Sequence, residues 1–193
     1  MSTKRTASVL GAVVALWAGP ASADPQGNVG ITIGGAARGD DRELVEPAFH
    51  LGLRGDVLFL RDAADDFGIG PYAELFTHAF DELQVGHGVS LLVPTVDTFP
   101  LIFSAGAYGR VAEGGGFEPG VAATVFVGAR AHNFSSHYDM MAGLLVQGRV
   151  GLGPAEEISL VVAAQLDLAF LGLPIVYLVD AARGGSEETD SVR

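Results

Sequence analysis

The sequence predicts an all-β protein, an eight-stranded antiparallel up-and-down (meander) barrel, and three observations predict it. Apolar and polar residues alternate with a period of two from Asn28 to Asp167, the signature of strands whose two faces meet different surroundings. Eight such runs are separated by stretches rich in Asp, Glu, Gly, Ser or Pro, the residues of turns. The connections are short, and short connections make consecutive strands antiparallel neighbours.

The first predicted strand sets Val29, Ile31 and Ile33 against Asn28, Gly30, Thr32 and Gly34. The second opposes Phe49, Leu51, Leu53, Val57 and Phe59 to His50, Gly52, Arg54 and Asp56, and the third opposes Ile69, Ala73 and Leu75 to Gly70, Tyr72, Glu74 and His78. In the fourth, Val85, Val89, Leu91 and Val93 alternate with Gln84, Gly86, Gly88 and Ser90. Leu101, Phe103, Ala105 and Ala107 face away from Ser104, Gly106, Tyr108 and Arg110 in the fifth, as Val121, Ala123, Val125 and Val127 do from Thr124, Gly128, Arg130 and His132 in the sixth. The seventh runs from Asp139 to Val150, with Met140, Ala142, Leu144 and Val146 opposite Gly143, Gln147 and Arg149. The eighth sets Ile158, Leu160, Val162, Ala164, Leu166 and Leu168 against Ser159, Gln165 and Asp167.

Ahead of the strands stand basic Lys4 and Arg5, an apolar run from Val9 to Ala18, and Ala21, Ser22 and Ala23 before Asp24. These are the three parts of a cleavable secretory signal over 1–23. The apolar run is shorter than the roughly 20 residues a spanning helix needs. Removing it leaves nine arginines against 23 acids, so the net charge becomes −14. Such a surface repels nucleic acid. Hydrophobic residues make up 49% of the chain, too many for a disordered protein. With no cysteine, neither a disulfide scaffold nor a thiolate metal site can form. The expected organisation is a signal over 1–23, a barrel over 24–170, an apolar and helical segment over 171–183 with Pro174 near its start, and an acidic disordered tail over 184–193.

Which face points inward decides the class of function. A soluble barrel fills its interior with the aliphatic face, whereas a membrane barrel turns that face to lipid and lines its lumen with polar side chains. Here the polar face is mostly Gly, Ser, Thr and Gln with one or two charges per strand and no lysine, which suits a crowded interior. Strands of about ten residues also match the length that crosses a bilayer with tilt. The expected partner is therefore the lipid bilayer of an outer membrane, reached after signal cleavage. The alternative is a soluble periplasmic barrel of lipocalin-like architecture with an apolar ligand inside.

The signal, the alternating strands, the Gly-rich polar face carrying Arg54, Glu74, Arg130 and Arg149, and a last strand running from Gln165 to Phe170 resemble the small eight-stranded outer-membrane barrels of the OmpA/OmpX type. The resemblance spans about residues 28 to 170. It implies a non-catalytic barrel spanning the envelope, plugged by its own side chains, with a role in adhesion, envelope integrity or small-molecule traffic.

The candidate site is accordingly an ion-pair network in the lumen, made of Arg54, Asp56, Glu74, Arg110, Arg130, Arg149 and Asp167. A hairpin turning near Asp65 sets Arg54 opposite Glu74, with Asp56 facing Tyr72. His50, His78 and His132 share the polar face, but their spacing matches no zinc signature. They read as hydrogen-bonding lumen residues. The acidic turns 39–41 and 62–66 lack the pattern of a calcium loop. Ser135, Ser136, His137 and Asp139 crowd one turn without a nucleophile elbow or a phosphate loop. The sequence therefore points to no enzyme, no cofactor and no metal.

Overall fold

The computed structural model describes residues 24–40, 43–96, 98–112, 116–170 and 172. The expected signal segment, the apolar segment beyond Phe170 apart from Gly172, and the acidic tail lie outside them. Eight strands form: β1 (Gln26–Gly39), β2 (Glu46–Leu58), β3 (Gly68–His78), β4 (Glu82–Val93), β5 (Leu101–Ala112), β6 (Phe117–Arg130), β7 (Met141–Gly151) and β8 (Ile158–Asp167). Each pairs antiparallel with the next, and β8 pairs with β1, so the sheet is a closed meander barrel. Closure removes every unpaired strand edge.

The register fixes the shape of the barrel. From Val29 the cross-strand row runs through Gly55, Ala73, His87, Ala107, Val121, Val150 and Ile158, and it returns to β1 at Gly39. The row thus comes back displaced by the ten residues between Val29 and Gly39. With ordinary rise and strand spacing, that stagger tilts eight strands by about 40°.

The alternation decides which side chains go where. Tyr72, Glu74, Gln84, Ser90, Thr124, Gln147, Arg149, Gln165 and Asp167 are buried inside, while Leu53, Leu75, Val85, Val127, Leu144, Val162 and Leu166 stand exposed outside. No Asp, Glu, Lys or Arg occupies an outward position on any strand, and the polar residues there are Thr77 and His87. The interior is not wholly polar. Leu58, Leu92, Ile102, Phe126 and Met141 form one buried apolar cluster, and Ala36, Val161 and Ala163, with Ala48 against them, form another.

Both ends of the sheet differ from expectation in detail. The last strand stops at Asp167 rather than running to Phe170, and residues 168–170 begin a helical turn. The reason is local: the Asp167 carboxylate accepts the Ala169 N–H at 2.7 Å, the bond of an N-capping aspartate. β7 starts at Met141, because Asp139 is drawn away to pair with Gly27, whose carbonyl accepts the Asp139 N–H at 2.9 Å. The β2–β3, β4–β5 and β6–β7 connections leave the sheet at the end where β1 begins and β8 stops, and the β1–β2, β3–β4, β5–β6 and β7–β8 connections leave it at the opposite end. The tightest is the hairpin from His78 to Asp81, in which Ala79 and Phe80 both take the left-handed conformation, with φ of 49° and 65°. A two-residue hairpin turn of this kind matches the twist of its strands.

Candidate functional site inside the barrel

Alternation on β2, β3 and β7 aims Arg54, Glu74 and Arg149 into the barrel, and the register sets Arg54 directly opposite Glu74. Arg54 Nη1 donates to Glu74 Oε2 at 2.6 Å, and its Nη2 donates to Ser104 Oγ at 2.7 Å. Arg149 Nη2 donates to the other Glu74 oxygen. Gln147 Nε2 lies 3.1 Å from both Glu74 oxygens and 2.9 Å from Thr124 Oγ1. Arg149 also reaches Gln84 Oε1 at 2.8 Å and Gln147 Oε1 at 3.0 Å. Its guanidinium covers the Phe76 ring at 3.6 Å, as Arg54 covers Tyr72 at 3.9 Å.

Glycine makes the room for this packing. A Cβ on Gly86 would stand 2.7 Å from Glu74 Oε1, so a larger residue there would push the carboxylate off its arginines. The Gly-rich polar face is thus a matter of space as well as of turn chemistry.

Toward the end where β1 begins, Arg130 Nη1 donates to Asp56 Oδ2 at 2.9 Å and Arg130 Nε to Asp139 Oδ2 at 3.2 Å. Arg61, from the loop after β2, completes this group by donating to the same Asp139 oxygen at 3.1 Å. Burial pushes the Arg61 guanidinium below its usual pKa, and Asp139 opposes that shift. Asp167 stands with Asn28 Nδ2 at 2.6 Å and Tyr138 O–H at 2.7 Å. Burial, followed by the bond to Asp167, holds the Tyr138 phenol above its ordinary pKa.

At the opposite end Arg110 Nε donates to Glu82 Oε2 at 2.7 Å, and its Nη1 lies 3.3 Å from Glu118 and 3.4 Å from Asp40. Arg38 grips both oxygens of Asp81, at 2.7 and 2.6 Å, and reaches Glu46 at 3.3 Å. Its guanidinium holds the Asp81 carboxyl below the usual carboxylate range.

The seven residues expected in one network therefore fall into separate groups. Arg54, Glu74 and Arg149 meet; Asp56 and Arg130 meet farther along; Arg110 belongs to the opposite mouth; Asp167 binds amide, phenol and backbone donors. Glu82, Glu118 and Asp139 join these groups from outside the expected seven, although each sits on the inward parity of its strand or just beyond it. Arg61 carries no signal in the sequence, because a loop folds it back into the barrel.

The histidines divide in the same way. His50 and His78 face each other across β2 and β3 with ring centroids 5.3 Å apart, His78 Nδ1 lies 2.8 Å from Glu82 Oε1, and His132 stands at the other end beside Gln26 at 3.0 Å. Among the described residues no three His, Cys, Asp or Glu side chains come together to hold a metal ion. Ser136 Oγ accepts the Tyr138 N–H at 3.1 Å, and Asp139 is engaged by Arg61 and Arg130.

No protein-family model, characterised protein or solved structure matches this chain. The chemistry of the site thus rests on its own geometry, which is a dense set of interior ion pairs. Buried charges persist where partners and further hydrogen bonds satisfy them.

Proposed function

We propose that this protein is a non-enzymatic β-barrel of an outer membrane, with its aliphatic wall against lipid, its lumen closed by side chains, and a structural or interaction role in the cell envelope. The observation that carries this reading is the outward surface of β1–β8, which holds no charged residue, while arginines and carboxylates pair inside. A wall of that composition is suited to hydrocarbon, and the tilt of about 40° lies within the range of such barrels. Strands of 10 to 14 residues at that tilt span roughly 25 to 35 Å. Among the described residues no helix is long and apolar enough to cross a membrane, so any crossing by them is made by strands.

Export through the 1–23 signal is part of the proposal, and the mature chain then begins at Asp24. Envelope fractionation with N-terminal sequencing tests both statements. A detergent-extractable protein starting at Asp24, with heat-dependent gel mobility, is the expected outcome. Recovery in the soluble periplasmic fraction would favour the lipocalin-like alternative.

A further inference from the structure

The mouth opposite the end where β1 begins holds a cavity of about 350 Å³, bounded by the arginines Arg38 and Arg110 and the acids Asp40, Glu46, Asp81, Glu82 and Glu157. The arginines are already committed. Arg38 is spent on Asp81 and Glu46, and Arg110 on Glu82, Glu118 and Asp40. The second oxygen of Glu82 accepts from Gln84 Nε2 at 2.7 Å and lies beside His78.

Glu157 is left over. It is only 2% exposed, its Oε2 accepts the Tyr108 O–H, and its Oε1 is buried with no hydrogen-bond partner among the described residues. No cation of the described residues stands at ion-pair distance from it. Arg110 and Arg149 feel its charge through space but neither donates to it, and a buried carboxylate oxygen left without a donor is disfavoured.

We propose that this mouth binds a short linear diamine, one ammonium donating to Glu157 Oε1 and the other resting among the rim acids Asp40 and Glu46. A protein cage for a hard divalent ion draws several oxygen ligands together, and among the described residues no three His, Cys, Asp or Glu side chains come together to hold a metal ion. A guanidinium prefers both oxygens of a carboxylate in a planar fork, and Tyr108 already holds one of the two. An ammonium needs only point acceptors, and that is what remains. The rim acids have side chains 58% and 61% exposed and meet their arginines through Asp40 Oδ1 and Glu46 Oε1, which leaves the second oxygen of each to the second ammonium. The inference does not depend on whether the wall faces lipid.

The test uses the full chain folded in detergent and titrated with butane-1,4-diamine, with n-butylamine, methylguanidine and magnesium chloride at matched ionic strength. Calorimetry and the thermal midpoint are read together. The expected result is saturable diamine binding with a raised midpoint, weaker binding of butylamine, and no specific effect of the other two. Glu157→Gln should weaken diamine binding at least tenfold, while Tyr108→Phe should retain it. Asp40→Asn with Glu46→Gln, on the exposed rim where folding is safe, should weaken the diamine more than butylamine. Equal stabilisation by magnesium, or unchanged binding in both the Glu157 and the rim variants, overturns the proposal. Absence of saturable diamine binding to the wild type overturns it as well.

Discussion

Glu74 of β3 is shared by two arginines from different strands, Arg54 of β2 on its Oε2 at 2.6 Å and Arg149 of β7 on its Oε1. Removing it therefore orphans two buried cations. Glu74→Ala is expected to destabilise the folded barrel by about 3 to 5 kcal/mol, the range for breaking a buried pair. Adding Arg54→Ala should recover only part of that loss, because Arg149 still faces the gap. Double-mutant cycles of Glu74 with each arginine, read by urea unfolding in detergent, should give couplings of roughly 0.5 to 3 kcal/mol. Couplings of zero in both cycles would contradict a shielded network.

Val125 and Leu144 point outward from β6 and β7 and are exposed. Replacing either by Arg should hinder assembly into bilayers, at about 2 to 4 kcal/mol near the midplane and less toward the rim. His87 stands on the same wall between Ala73 and Ala107, so His87→Leu should assemble at least as well as the wild type. Folding yields into lipid vesicles measure all three. Normal yields for Val125→Arg and Leu144→Arg would remove the main support for a lipid-facing wall.

The strand order, the inward parity and the Arg54–Glu74 pairing were legible because strand alternation has a period of two and a short connection between consecutive strands carries it across to the neighbour. Glu82 and Glu118 were lost for a complementary reason. Acids near strand ends look like turn residues, although their parity with Gln84 and Thr124 places them inside. The inward apolar group of Leu58, Leu92, Ile102, Phe126 and Met141 breaks the two-face pattern residue by residue, and only closure of the barrel brings its members together. Arg61 and Glu157 are positioned by loops, and their partners are set by the tertiary fold.

The turn between β3 and β4 places Ala79 at a φ of 49°, a conformation that brings an L residue's Cβ against its own backbone. Glycine removes that strain, and Ala79 donates its N–H to the Phe49 carbonyl at 2.8 Å, a bond glycine also makes. Ala79→Gly is therefore expected to stabilise the protein by about 1 kcal/mol. Phe80 is a poorer target, since its ring lies 5.9 Å from that of Phe49. A lowered thermal midpoint for Ala79→Gly would show that the turn does not hold this conformation.

Asp81, in the same turn, supplies the pH dependence that can be followed most simply. Both its oxygens accept from Arg38, and that guanidinium depresses its folded pKa below the usual carboxylate value of about 3.9. For a carboxylate depressed on folding, the stabilising contribution is complete above the unfolded pKa and is lost as pH falls through the folded one. The contribution should therefore be constant from neutrality down to about pH 4 and fade below it. Asp81→Asn lacks the titrating group, so its thermal midpoint should lie below that of the wild type at pH 6. The two should converge in acid. With the Asp81 side chain 42% exposed, the gap should also shrink in high salt, as it does for exposed pairs. A gap that stayed constant down to pH 2, or that was insensitive to salt, would mean that Arg38 does not stabilise the turn through the ionised Asp81.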